Sequence, residues 1–99
     1  MIERITENEE KLDSILLSIK NLENALKDFK ANKKNLHDLN KYYGSKTWFK
    51  DKEKYENNEI PSIKAGILSE DAAWNMFEDI EDLLNEMQNI INNFQKKEK

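Results

Sequence analysis

The chain contains no cysteine, two glycines and one proline in 99 residues. Without cysteine it cannot form a disulfide framework or a thiolate metal site, and a reducing cytoplasm is the expected compartment. So little glycine and proline disfavours a sheet with many turns and favours long helices. No apolar run approaches the roughly 18 residues of a membrane span, and the charged N-terminus lacks the apolar core of a signal peptide. We therefore expect a cytoplasmic all-α protein without a membrane partner.

Residues and motifs typical of catalytic, metal-binding or phosphate-binding sites are equally scarce. His37 is the only histidine, so no histidine cluster or triad can form, and no glycine-rich phosphate loop is present. The net charge of −4 disfavours nucleic acid, whose backbone is bound through lysine and arginine. The richest basic run, Lys27 to Lys34, is more typical of a solvated helix face. These features predict a protein that is not an enzyme and has no cofactor, no metal and no nucleic-acid partner.

The first part of the chain has apolar residues at alternating steps of three and four, which is a heptad pattern. Leu16 and Leu17 widen this stripe, which allows a second neighbour there. The pattern weakens at residues 30–35, where Lys33 occupies a core position, but no proline or glycine stops the helix. We predict one long helix over residues 2–43, either continuous or bent near residues 31–35. Its seam consists of Ile5, Leu12, Ile15, Ile19, Leu22, Leu26, Phe29, Leu36 and Tyr43.

The last part of the chain predicts a second long helix. Ser69 precedes Glu70 and Asp71, which places an N-cap hydroxyl before two acids in the first helical turn. The helix should run over residues 70–95 and leave a charged tail at 96–99. Its apolar stripe is unbroken and consists of Ala73, Phe77, Ile80, Leu84, Met87, Ile91 and Phe94.

Two amphipathic helices with one connection predict an antiparallel helical hairpin that forms a single domain over residues 1–99. At 1.5 Å per residue the first helix would be roughly 60 Å long and the second roughly 40 Å. The first dozen residues then overhang the hairpin. A second copy of the chain would cover them in a dimeric bundle, or the connection would fold back over the helices in a monomer. A homodimer or another protein partner is therefore expected.

The connection, residues 44–68, is predicted to be ordered and to contain short helical turns. Gly44 stands where a left-handed C-cap glycine belongs, and Ser45 can cap a short helix that ends near Asn57 and Asn58. Pro61 would then open another helical turn over residues 62–65, closed by Gly66. Three large aromatics and several isoleucines make this segment an ordered lid rather than a flexible linker.

Two segments at the centre of the chain, one at each end of the connection, are similar to segments of a known family. Tyr42-Tyr43-Gly44-Ser45 is followed by Trp48, and Gly66-Ile67-Leu68-Ser69-Glu70-Asp71 comes later in the chain. This order resembles a small bacterial family classed as a domain of unknown function, with a YYGS-x-x-W segment before a GVLSED segment. This chain has isoleucine at 67 in place of valine and Ala65 in place of a basic residue. The resemblance implies a bacterial origin and a mostly helical chain of about this length, and it implies no activity, cofactor or partner.

Two function classes follow from these features. The first is a non-catalytic protein-interaction module that acts through an apolar helix face, at Ile15, Leu16, Leu17 and Ile19, or through the aromatic corner at 42–49. The alternative is a small-molecule or metal-binding protein with its site at the connection. The ligand- or partner-binding candidates there are Tyr42, Trp48, Asp51 and Glu70.

Two of these candidates, Trp48 and Asp51, also have a structural interpretation. An aromatic residue at a helix corner usually packs, so Trp48 is expected to fill the gap between helix ends rather than form the floor of a pocket. Asp51 can accept hydrogen bonds from backbone amides of the 66–69 turn. Tyr43 continues the helix seam, which leaves Tyr42 as the better contact residue.

Overall fold

The computed structural model describes the backbone of residues 1–97 and the side chains of residues 1–95. Over these residues the chain consists of helices and connecting turns, and no strand occurs, which confirms the all-α class. Within residues 1–97 no helix combines the length and apolarity that a membrane crossing requires. The elements are α1 (Ile2–Ala31), α2 (Lys33–Tyr42), α3 (Lys46–Glu56), a 3₁₀ turn (Gly66–Leu68) and α4 (Glu70–Lys97).

The chain forms two compact units, one of residues 1–40 and a second that begins at residue 41. The first contains α1 and most of α2, and the second contains α3, the 3₁₀ turn and α4. The single domain over residues 1–99 and the antiparallel placement of the long helices stay predictions.

A one-residue turn at Asn32 interrupts the long helix predicted over 2–43, so the uninterrupted form of that prediction is wrong. The Asn32 amide donates to the Phe29 carbonyl, three residues back, at 3.0 Å, with φ −90° and ψ 5° at Asn32. Its side chain donates to the Asp28 carbonyl and accepts from Asn35. The break falls inside the window of residues 31–35, where two asparagines lower the helix propensity and their side chains bond to nearby groups. The Leu36 amide then donates to the Asn32 carbonyl and the helix resumes.

Helix α1 has no buried side chain. Its seam residues, from Ile5 to Phe29, remain between 39% and 58% exposed, and Leu16 and Leu17 beside them are also exposed. Its side-chain hydrogen bonds are local, such as that from Asn8 to the Arg4 carbonyl one turn earlier. The apolar face predicted from the heptad pattern is therefore open along the whole of α1.

The ends of α3 follow the sequence prediction. The Ser45 hydroxyl accepts a hydrogen bond from the Trp48 amide at 3.2 Å, which caps the N-terminus. At the other end Asn58 adopts a left-handed conformation with φ 59°, and the Glu59 amide donates to the Lys54 carbonyl at 2.9 Å. This is a Schellman motif with asparagine in the usual glycine position.

The helical turn predicted over residues 62–65 is wrong, because residues 61–65 form no helical turn and the 3₁₀ turn begins at Gly66. A single helical turn fixes several dihedral angles for one hydrogen bond, so it forms only where other contacts support it. Those contacts lie further along, where the 3₁₀ turn packs against both α3 and α4. Glycine thus opens the turn that it was expected to close.

Helix α4 begins as predicted, since the Ser69 hydroxyl accepts from the Asp71 and Ala72 amides at 3.2 and 3.4 Å. It extends two residues beyond the predicted end at 95. Residues 98 and 99 of the predicted tail lie outside the described residues. Among residues 1–95 the buried apolar side chains are Trp48, Leu68 and Ala73, which places the core where α3, the 3₁₀ turn and α4 meet.

Candidate functional site

The aromatic corner (residues 42–49) begins where α2 ends. Gly44 has φ +78°, a left-handed conformation that glycine adopts without strain, and it turns the chain toward α3. The Ser45 amide donates to the Tyr42 carbonyl at 3.0 Å and closes the turn. This confirms the predicted C-cap glycine and brings Tyr42 and Tyr43 beside the first turn of α3.

Trp48 is the most buried residue of the described chain, with 3% of its surface exposed. Its indole N–H donates to the Ile67 carbonyl at 2.8 Å, a bond between residues 19 positions apart. Its ring packs edge-on against Tyr43 and Phe49, with centroid distances of 5.2 and 4.8 Å. Burial, a satisfied N–H and two aromatic neighbours match the packing interpretation of Trp48.

Tyr43 connects this aromatic cluster to α4. Its hydroxyl donates to the Glu70 carbonyl at 2.7 Å, and its ring lies 6.2 Å from that of Phe77. The Glu70 carbonyl is in the first turn of α4, so the bond holds the helix start against the corner. The heptad spacing placed Tyr43 on an apolar seam, but it gave no sign of this hydrogen bond across 27 residues.

Tyr42 and Asp51, two of the candidate site residues, are brought together. The Tyr42 hydroxyl donates to Asp51 Oδ2 at 2.6 Å. This hydrogen bond, partial burial and the negative charge of Asp51 raise the pKa of Tyr42 from 10.0 to about 12. The structure thus assigns the Asp51 carboxylate a phenol donor, where the sequence suggested backbone amides of residues 66–69.

The Tyr42–Asp51 pair lines an open cleft of about 190 Å³. Lys54 and Lys64 supply positive charge, and the remaining wall is apolar. Trp48 is not among the residues that line this cleft. The apolar wall consists of Ile60, Ile63, Ala65, Ile67 and Leu68.

Glu70, the fourth candidate, lies on a different cleft, of about 400 Å³, which Lys52 and Tyr55 also line. Its carboxylate is 3.9 Å from Lys52 Nζ, and the nearer partner of that ammonium is Glu56. The hydrogen bond to Glu56 and the charges of both glutamates raise the pKa of Lys52, against a smaller opposing effect of burial. Sequence reasoning missed Lys52, although its spacing of four from Glu56 indicates a helical ion pair.

The four candidates therefore do not converge on one point. Tyr42 and Asp51 share a cleft, Trp48 is buried and lines neither cleft, and Glu70 lines another cleft. Among the described residues no group of three or more histidine, cysteine or acidic side chains could hold a metal ion. A second candidate surface is the open apolar face of α1, where Ile15, Leu16, Leu17 and Ile19 are each about half exposed.

These features define an all-α protein with a capped aromatic corner and an exposed amphipathic helix. The chain belongs to the family described as a domain of unknown function (DUF4298), whose model matches residues 5–90. No curated protein and no solved structure matches the chain. The family match covers the seam of α1, the corner and most of α4 together.

Proposed function

We propose that this chain is a non-catalytic protein-interaction module that acts through the apolar face of α1, with a second copy of the chain as its partner. The observation that carries the proposal is the exposure of the α1 seam over Ile5 to Phe29. An apolar stripe on a helix normally faces a partner, because burial of that stripe supplies most of the stability of the helix.

The aromatic corner is a weaker interaction surface than α1. Trp48 is buried, and the hydroxyls of Tyr42 and Tyr43 already donate to groups of the same chain. A partner at the corner would have to compete with these contacts. A partner at α1 would only displace water from aliphatic side chains, which is favourable by roughly 25 cal/mol per Å².

A non-catalytic role is supported by the arrangement of the polar candidates. Acid–base chemistry requires the reacting groups to converge on one substrate position. Here Tyr42 and Asp51 satisfy each other at 2.6 Å, while Glu70 lines a separate cleft.

Sedimentation equilibrium of the full chain over about a hundredfold range of concentration tests the proposal. We expect the mass to rise with concentration from 11.8 kDa toward twice that value. Ile19→Asp should keep the chain monomeric, because it places a charge in the seam. Asn21→Asp adds the same charge to the same turn, away from the seam, and should associate like the parent chain.

Two results would count against this function. A parent chain that stays monomeric throughout the range would remove the second copy as the partner. Equal association of the Ile19→Asp and Asn21→Asp variants would show that contact is made elsewhere. Far-ultraviolet circular dichroism of both variants checks that helix content is retained.

A second candidate function is binding of a small molecule in the Tyr42–Asp51 cleft. The observation in its favour is the combination of an apolar wall with Lys54 and Lys64 at one cleft, which suits a ligand with an apolar body and an anionic group. A panel of small organic acids should then raise the melting temperature of the parent chain. Ile63→Ala removes part of the wall and should abolish the increase, and no increase with any compound would exclude this class of ligand.

A further inference from the structure

The polar residues that interrupt the α1 seam restrict the ways in which a partner helix can pair with it. In heptad terms Ile5, Leu12, Ile19 and Leu26 occupy one core position, and Ile15, Leu22 and Phe29 occupy the other. Asn8 interrupts the seam near its start, and Lys33, the first residue of α2, interrupts it after its end. Polar residues at core positions select the helix pairings in which they face each other.

We propose that α1 of two copies pairs antiparallel, in the register that places Leu12 opposite Phe29, Ile15 opposite Leu26 and Ile19 opposite Leu22 of the other copy. The proposal rests on the proposed function and deepens it by specifying orientation and register. Every contact occurs twice, as the two-fold symmetry of a homodimer requires. Six seam residues from each helix then face apolar side chains only.

The same register brings the two polar interruptions together. Asn8 lies opposite Lys33 of the second copy, while Ile5 lies opposite Leu36. The Asn8 side-chain amide nitrogen donates to the Arg4 carbonyl at 2.8 Å. The side-chain oxygen of Asn8 is an acceptor, which an ammonium group can use. Asn8 or Lys33 opposite an apolar side chain would be buried without a hydrogen-bond partner, which costs free energy. Pairing the two residues with each other avoids both costs.

Charges beside the seam favour this register as well. Glu9 and Lys30 flank the seam on the same side, and the antiparallel pairing sets Glu9 of one helix near Lys30 of the other. Two such ion pairs form by symmetry. A shift by one heptad would instead set Glu9 near Glu23 and Asn8 opposite Leu26, and the opposite shift would set Lys33 opposite Ile15.

The parallel alternative is disfavoured by Lys33. Parallel helices in register would place each core residue opposite its own copy, so the two Lys33 ammonium groups would face each other across the seam. Like charges in contact are destabilising. The antiparallel register avoids this repulsion and leaves no apolar seam residue facing a polar one.

Spin-label distances in the full chain test orientation and register together. Because the chain has no cysteine, Asp13→Cys, Lys20→Cys and Lys27→Cys each provide one label, all on the solvent-facing side and one heptad apart. At 1.5 Å per residue, the proposed register separates the two labels along the helix axis by about 22 Å at 13, about 2 Å at 20 and about 20 Å at 27. The shortest distance should therefore occur at residue 20, with nearly equal distances on either side.

Any other pattern of label distances would contradict a specific part of the proposal. Equal distances at all three positions would indicate parallel helices. A minimum at residue 13 or 27, or unequal outer distances, would indicate a shifted register. If the molar mass shows a dimer but no distance between the labels of the two copies can be measured, the contact lies outside α1. If no dimer forms, the proposed function itself is rejected.

A charge exchange gives an independent measurement on the same dimer. Glu9→Lys or Lys30→Glu alone should weaken dimerisation about two- to tenfold, because each creates two like-charge contacts in place of two exposed ion pairs. The double exchange should restore the affinity of the parent chain. Failure of the double variant to recover would contradict the placement of Glu9 beside Lys30.

Discussion

The aromatic corner and helix α1 place their apolar residues in opposite environments. At the corner, side chains from the end of α2, from α3, the 3₁₀ turn and α4 meet, and Trp48 is buried among them. In α1 the apolar side chains lie along a single helix, and none is buried. The hydrogen bonds differ in the same way, since the corner includes bonds across 19 and 27 residues and those of α1 span about one turn.

This difference indicates which part of the chain is stable without a partner. Contacts between residues distant in sequence fix the corner once the chain has folded, independently of protein concentration. A helix without buried side chains gains little from its backbone bonds alone, because nucleation is costly and propagation is only marginally favourable. We therefore expect the corner to persist on dilution and the order of α1 to increase with association.

The largest expected effect comes from removing the buried tryptophan. Trp48→Ala should lower the free energy of unfolding by about 3–5 kcal/mol, because it leaves a cavity and an unsatisfied Ile67 carbonyl. Urea denaturation followed by circular dichroism measures the loss. The chain offers a matched control in Trp74, which is 59% exposed. Trp74→Ala should change the free energy by less than about 0.5 kcal/mol, and equal losses would refute the assignment of the core.

A smaller effect is expected at the glycine of the corner. Gly44→Ala should cost about 1–2 kcal/mol, because a Cβ atom is strained at φ +78°. No atom lies within 4 Å of the added Cβ, so the cost is due to the backbone alone. Gly66 is equally unobstructed and lacks a left-handed φ. Gly66→Ala should therefore leave stability unchanged or raise it by up to about 1 kcal/mol, and a greater loss than at Gly44 would contradict this account.

The smallest effect is expected for the polar pair of the corner. Asp51→Asn should cost about 1 kcal/mol and lower the pKa of Tyr42 from about 12 toward 10.0, because the anionic acceptor is lost. A raised pKa in the folded state means that the stabilisation is fully present below pH 10 and is lost as the pH rises toward 12. Absorbance titration at the tyrosinate band measures the pKa, and subtraction of a Tyr42→Phe titration assigns it.

The Tyr42→Phe variant is also the control for stability. It cannot ionise at position 42, so its unfolding free energy should fall less between pH 10 and pH 12 than that of the parent chain. Identical pH dependence in the two chains would show that the Tyr42–Asp51 bond does not form in solution.

Local signals in the sequence predicted the ends of the elements well. Gly44 and Ser45 fixed the turn into α3, Asn57 and Asn58 marked its end, and Ser69 began α4. Each of these acts through hydrogen bonds within a few residues, which a sequence displays directly. The break at Asn32 was predicted only in part, because the weak heptad pattern at residues 30–35 marked the place but not the turn that divides the helix.

The contacts between distant residues could not be predicted in the same way. Tyr42 and Asp51 line one cleft and Glu70 lines another, and the 3₁₀ turn at Gly66–Leu68 contributes lining residues to both clefts. That turn replaced the helical turn expected after Pro61. The partners of Trp48 and Tyr43 are backbone carbonyls, and every residue has one, so composition gives no indication of which carbonyl is used.

The contrasting environments of Trp48 and Trp74 give the chain two built-in optical probes. An indole that is buried and bonded to a carbonyl emits at shorter wavelength and is shielded from a soluble quencher, whereas an exposed indole emits at longer wavelength and is quenched readily. Replacing either tryptophan by phenylalanine leaves a single emitter, one inside the corner and one on the surface of α4. Fluorescence can therefore follow loss of the interior and changes at the surface separately, without an added dye.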